Sequence, residues 1–286
     1  MAYIEVARVA KSFVTSGGAA REVLSDVSLS VERGEFVSIL GTMGCGKSTL
    51  LKILAGLVPA DSGRVTVAGE VVRGVRPSAA IVFQNYSLLP WFSALENVRL
   101  AVSAAFPDWP REQQREQAVR HLRSVGLGDA VDRRPGQLSG GMRQRVAIAR
   151  AFAIEPEILF LDEPFGALDA LTRDSLQQEL ARLCSDAGRP ITTVMITNSV
   201  EEALLLSDRI LPMTAGPRAT LGAPVAVELG KPRSASELLH GDQAAEVRGR
   251  VLGLLTEELE RARGARRSGA PAPAVTLALR VAPEME

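Results

Sequence analysis

The chain has 286 residues, enough to bury one large α/β core or two modest domains. Its 33 basic residues balance 33 acidic ones, so no global positive field draws in nucleic acid, and none is expected as a partner. Cys45 and Cys184 stand far apart and form no Cys/His cluster, which argues against a disulfide framework or structural zinc and fits a reducing cytoplasm. The N-terminus lacks a signal-peptide core, and no run of about 18 uncharged apolar residues offers a membrane span.

In chain order, residues 3–9 and 27–32 alternate apolar and polar side chains, as half-buried strands do, around a loop containing TSGGAAR. FVSIL at 36–40 is an apolar run that reads as a buried strand, and KSTLLKILAGL reads as a helix. Between them lies GTMGCGKST, residues 41–49. Strand, glycine-rich turn and helix make a phosphate-binding loop, a pattern that arises by chance in about one chain of this length in a hundred. Gly41, Gly44 and Gly46 let the loop, with Thr42, Met43 and Cys45, turn its N–H groups inward beside the positive end of the helix. Lys47 is placed to reach the β- and γ-phosphates of a nucleotide, Ser48 to ligate Mg²⁺, and Thr49 lies next to them.

RVTVAGE at 64–70 alternates again, while IVF at 81–83, ILFLD at 158–162, TTVMIT at 192–197 and RILPM at 209–213 are short apolar runs. ILFLD and TTVMIT read as strands covered on both faces. The expected class is α/β: a P-loop nucleoside-triphosphatase core with a mainly parallel sheet, an antiparallel β portion and an inserted α-helical subdomain at about 85–155. Within the insert, PREQQREQAVRHLRSVGL puts Pro110 in a first helical turn and closes near Gly126 and Gly128.

From about Gly222 the texture changes. Val247, Val251, Leu254, Leu255 and Leu259 fall on one face of a predicted helix, which has a stripe to bury on its own cassette or on a partner. An Ala/Pro-rich tail follows, in which VTLALRV could add an edge strand. The boundaries expected are 1–225 for the core domain and 226–286 for a C-terminal extension.

Two further motifs carry chemistry. In LSGGMRQ, residues 138–144, Ser139 can cap the following helix while Gly140 and Gly141 leave its first N–H groups bare for an anion. In ILFLDEPFGALD, residues 158–169, an apolar strand delivers Asp162 and Glu163 to its C-terminal end, where open α/β sheets bind ligands. Asp162 suits Mg²⁺, and Glu163 suits the orientation and deprotonation of an attacking water.

With Gln84 after its strand and the ALD turn at 167–169, these motifs resemble, in order and spacing, the nucleotide-binding subunit of an ATP-binding cassette transporter over residues 1 to about 225. The resemblance implies ATP and Mg²⁺ as ligands and two cassettes sandwiching two ATP molecules, as a homodimer or with a paired subunit. By that resemblance Phe13 stacks on adenine, and Gln84 links the metal and the attacking water to the membrane subunits. Ser139 and Gly141 close over the γ-phosphate held by the opposite cassette, and Asp169 crosses the interface.

One departure stands out. After TTVMIT the family places a histidine that touches the γ-phosphate, and here that position is Asn198. An amide donates a hydrogen bond yet cannot carry a proton. Asn198 is expected to keep the donor role at lower turnover, or to be a neutral variant where Glu163 does the main work.

VFQNYSLLPWFSALENV, residues 82–98, is similar to the nitrate, sulfonate and taurine branch of importers, with Leu88–Trp91 near the permease. Residues 201–222 lean towards nitrate, nitrite and cyanate members. The resemblance implies an ATPase at the cytoplasmic face of the inner membrane, powering a separate integral permease fed by a solute-binding protein. The tail is too short for a fused solute-binding domain. Alternatives are a sulfonate/taurine importer ATPase, or a hydrolysis-impaired regulatory subunit paired with another cassette. A DNA-repair type ATPase is disfavoured, because no long heptad coil separates the phosphate loop from LSGGMRQ.

Overall fold

The computed structural model describes residues 2–15, 18–166, 168–184 and 190–267, with the side chains of 259 and 261–267 excepted. The expected VTLALRV strand, the side chain of Leu259 and Ala167 of the ALD turn lie outside the described residues.

Two sheets organise the described residues. The first is antiparallel, with β1 (Ile4–Val14), β2 (Ala20–Val31), β4 (Ser62–Val67) and β5 (Glu70–Val71) in the order β2-β1-β4-β5. Register shifts along β1 mark bulges, and Arg8 there has a φ of 49°. The second comprises β3 (Phe36–Leu40), β6 (Ala79–Val82), β7 (Ile158–Asp162), β8 (Thr192–Thr197), β9 (Arg209–Pro212) and β10 (Val225–Ala226), in the order β10-β9-β3-β8-β7-β6. Its pairings are parallel except at the β10 edge.

Residues of β3, β7 and β8 are buried throughout, which is why they read as near-continuous apolar runs. Their side chains alternate between two cores, as the two-residue period of a strand requires. Val37, Ile39, Ile158, Phe160, Val194 and Ile196 face the antiparallel sheet and α1 (Lys47–Leu54). Phe36, Leu40, Leu159, Leu161 and Met195 face the remaining helices.

Between β6 and β7 run α2 (Ala94–Ala105), α3 (Arg111–Ser124) and α4 (Gly140–Phe152). A reciprocal capping box starts α2, Ser93 Oγ accepting from Glu96 N and Glu96 from Ser93 N. Pro110 precedes α3 instead of entering its first turn. Its ψ of 149° is non-helical, and its carbonyl accepts from Gln114 N at 3.1 Å.

After β7 come α5 (Ala170–Cys184), β8 and α6 (Val200–Leu206). The extension adds α7 (Ala235–His240) and α8 (Asp242–Arg267). Val247 and Val251 of α8 are buried on this chain's own core, with Leu254 and Leu255 packed partly against it. Arg233 ties the extension down: its guanidinium donates to the carbonyls of Leu204 at 2.6 Å and Ser207 at 2.7 Å, at the end of α6, and to those of Val227 and Leu229. Asp208 continues the knot, accepting from Phe36 N at 2.9 Å and pairing with Lys231 at 2.6 Å. Among the described residues no helix is long and apolar enough to cross a membrane.

Candidate nucleotide-binding site

Strand register builds the site. Leu40 pairs with Thr197, and Asp162 with Ile196, so the C-terminal ends of β3, β7 and β8 finish side by side. The phosphate loop, the Asp162–Glu163 pair and Asn198 therefore emerge at one edge of the sheet, where open α/β sheets bind ligands.

The loop turns through Gly46, whose φ of 117° suits only glycine; a Cβ there would lie 2.9 Å from Leu24. Cys45 is buried beneath the loop, and burial raises its thiol pKa. Thr42, Gly44 and Thr49 complete the turn and the first helical positions, while Met43 at its tip is 87% exposed.

Lys47 is only 4% exposed, and its ammonium donates to Gly41 O at 2.8 Å, Thr42 O at 3.0 Å and Asn198 Oδ1 at 2.8 Å. Asn198 Nδ2 in turn donates to Glu163 Oε1 at 2.7 Å. Gln84 Nε2 stands 3.5 Å from Glu163 Oε2. Glu163 itself has a left-handed φ of 46°, an unfavourable conformation for a residue with a Cβ and one concentrated at functional sites.

Beside this chain of bonds, Ser48 Oγ donates to Asp162 Oδ1 at 3.0 Å. Burial raises the Asp162 pKa, opposed by the Ser48 hydrogen bond. The Ser48 hydroxyl and the Asp162 carboxylate are hard oxygen donors of the kind Mg²⁺ takes, and Gln84, which approaches Glu163, carries another in its amide oxygen, so these residue types fit that ion.

Ser139, Gly140 and Gly141 open α4, with Ser139 Oγ accepting from Met142 N at 3.2 Å as the capping pattern predicts. Among the described residues no hydrogen bond joins them to the Lys47 cluster. They are apposed instead to the start of α5, where a Cβ on Gly141 would lie 2.4 Å from Thr172 Cγ2. Asp169 caps that helix, accepting from Thr172 N at 3.0 Å, which holds its carboxyl below the ordinary range. Phe13, on β1, is 43% exposed with Lys11 Nζ 5.4 Å from its ring centroid.

Sequence reading missed part of this neighbourhood. An open cavity of about 310 Å³ lined by Gln84, Glu163 and Asn198 is lined also by Gly166, Arg173, Thr197, Ser199 and Glu202. Glu202 is buried, receives a hydrogen bond from Thr197 Oγ1, and has its pKa raised by burial. Its position one turn after the Ser199 cap was the only available signal.

A glycine loop at the head of α1, with an acidic pair on a nearby parallel strand, defines a P-loop nucleoside-triphosphatase fold. The ABC transporter family profile matches residues 24–166. The nitrate import ATP-binding protein NrtD of Synechococcus elongatus is 47% identical over 247 residues, covering 86% of this chain and 89% of that protein. The bicarbonate transport ATP-binding protein CmpC of the same species is 43% identical over 256 residues, 90% of this chain; the chain spans 38% of that longer protein. A solved dimeric post-hydrolysis structure of the ATP-binding cassette MJ0796, bound to ADP and Pi, superposes with a TM-score of 0.71 at 30% identity, covering 79% of this chain and all of that one. The chain belongs to the ABC transporter family.

Proposed function

We propose that this chain is the ATP-hydrolysing subunit of an importer for nitrate or a comparable small oxyanion. The observation that carries it is the hydrogen-bonded run from Lys47 through Asn198 to Glu163, set beside the Ser48–Asp162 pair. It brings to one sheet edge a lysine, a glutamate and a hydroxyl–carboxylate pair, the groups that phosphate binding, water activation and metal ligation call for.

In this reading ATP lies with its polyphosphate along the loop from Gly41 to Thr49, its adenine against Phe13. Glu163 orients a water and takes its proton as the water oxygen bonds to the γ-phosphorus and the bond to the β–γ bridging oxygen breaks, leaving ADP and phosphate. Lys47 balances the charge on the phosphates, and Asn198 donates to a γ-phosphate oxygen. Mg²⁺, held by Ser48, Asp162 and Gln84, would neutralise charge developing on the β- and γ-oxygens.

Ser139, Gly140 and Gly141 make no hydrogen bond to this cluster among the described residues, which supports their serving the nucleotide of a second cassette, with Asp169 at the same interface. The exposed Trp91, 62% accessible and seven residues after Gln84, offers an integral permease an apolar contact, while Leu88 is partly buried against this chain's own core. Such a subunit works peripherally at the cytoplasmic face of the inner membrane, with a solute-binding protein upstream. The relatives named for nitrate and bicarbonate favour a small oxyanion over a sulfonate.

The test is Mg²⁺-dependent ATP hydrolysis at rising protein concentration, with Glu163→Gln as the control. Activity that climbs faster than linearly and vanishes in the control is the expected result. Equal activity in the control would remove Glu163 from the mechanism.

A further inference from the structure

A lysine ammonium has three N–H donors, and in Lys47 all three are used: by Gly41 O, Thr42 O and Asn198 Oδ1. The orientation of the Asn198 amide is unambiguous, because Lys47 can only donate and a carboxylate accepts, so its oxygen faces Lys47 and its nitrogen faces Glu163 Oε1. One short side chain thus occupies both the group that binds phosphate and the group that activates water. A phosphate that engages Lys47 needs at least one of those three N–H groups. The two loop carbonyls are fixed by the turn, whereas Asn198 is an exposed side chain at the end of a strand and is the partner free to leave.

We propose that Asn198 is a displaceable plug as well as a phosphate ligand: it holds Lys47 and Glu163 to each other, and an arriving polyphosphate must exchange with it at Lys47. This rests on reading the loop as the polyphosphate site. Displacement also releases Glu163 Oε1, so seating a phosphate at Lys47 frees that oxygen for a water. Asn198 is in this sense a positioning residue for both groups.

The two roles of Asn198 separate cleanly with ADP, which has no γ-phosphate for the amide to touch. The experiment measures equilibrium binding of ADP and of ATP, each with Mg²⁺, to the full chain carrying Glu163→Gln, with and without Asn198→Ala. In the Glu163→Gln background no carboxylate at 163 can move onto Lys47 and ATP is not consumed. The substitution at 198 is at an exposed position, and matching urea midpoints with and without it show that the fold is kept.

The plug predicts that Asn198→Ala tightens ADP about three- to tenfold, the scale of one net hydrogen bond, and tightens ATP by less, because ATP also loses a ligand. Unchanged or weaker ADP binding overturns the plug. If ADP is unchanged and ATP weakens, the plug falls while the γ-phosphate contact stands. Equal gains for both nucleotides support the plug and remove the γ-phosphate contact. No binding of either nucleotide to the Glu163→Gln chain overturns the reading of the loop on which the plug depends.

Discussion

The guanidinium of Arg150 donates to the carbonyl oxygen of Ser87 at 2.6 Å. It also reaches Tyr86 O at 2.8 Å, while Arg143 of the same helix lies over the Tyr86 ring. Tyr86 and Ser87 have φ values of 64° and 46°, so the turn that follows Gln84 is unfavourable without support. One helix therefore begins at the Ser139 cap and grips the Gln84 segment near its other end.

Arg150→Ala leaves both carbonyls without this partner and is expected to cost about 3 kcal/mol of folding stability, as loss of charge-assisted hydrogen bonds does. Arg150→Lys recovers part of it. Urea denaturation measures both. A loss below about 1 kcal/mol would mean that the segment is held by Asn97, whose side chain bonds Leu89, Phe92 and Ser93, with no help from Arg150.

Asn198→Ala is expected to slow ATP turnover by about 10²-fold, the usual effect of deleting one preorganised donor. Steady-state hydrolysis at saturating ATP reads it. Turnover equal to the parent chain's would leave Glu163 as the whole of the apparatus on that side of the phosphate.

Gly141→Ala pushes a methyl group into Thr172 Cγ2. Thr172 cannot rotate away freely, because its side chain bonds Asp169. We expect a loss of about 1–2 kcal/mol, typical of overpacking, that Thr172→Ser removes by deleting the obstructing methyl. In the Thr172→Ser background Gly141→Ala should be neutral or slightly stabilising, since alanine is the better helix former. A double-mutant cycle showing no interaction would contradict this contact.

Glu202 gives a pH dependence of known sign. Burial places its folded pKa above the ordinary 4.5, so the folded chain keeps this proton to higher pH than the unfolded chain. The stability it contributes is complete below the unfolded value and is lost as pH rises through the folded one. Glu202→Gln does not titrate. As pH rises above the ordinary value of 4.5 the parent should therefore lose stability relative to Glu202→Gln, levelling off once the carboxyl has ionised in the folded chain. Urea midpoints that move in parallel over that range would show that the carboxyl is not desolvated.

The most readable residues were those whose chemistry fixes both identity and spacing. The phosphate loop, the Asp162–Glu163 pair and the Ser139 cap could be placed from the chain alone, and β3, β7 and β8 announced themselves as apolar runs. What escaped notice depends on partners distant in sequence. β10 is two residues long and exists by pairing with β9. The full lengths of β1 and β2 are obscured by bulges that break the alternation. Arg150, Arg233 and Glu202 look like ordinary surface charges until the carbonyls and hydroxyls they meet are brought to them.

The Arg233 knot has a mechanical side. It fastens the extension to the last carbonyls of α6, and α6 begins two residues after Asn198. A helix of 7 residues is about 10 Å long and too short to bend appreciably. Through Arg233 and this short helix, α7 and α8 are thus joined to the segment that carries the residue bridging Lys47 and Glu163. One side chain, Arg233, sets the spacing between the extension and the end of the helix that starts beside Asn198.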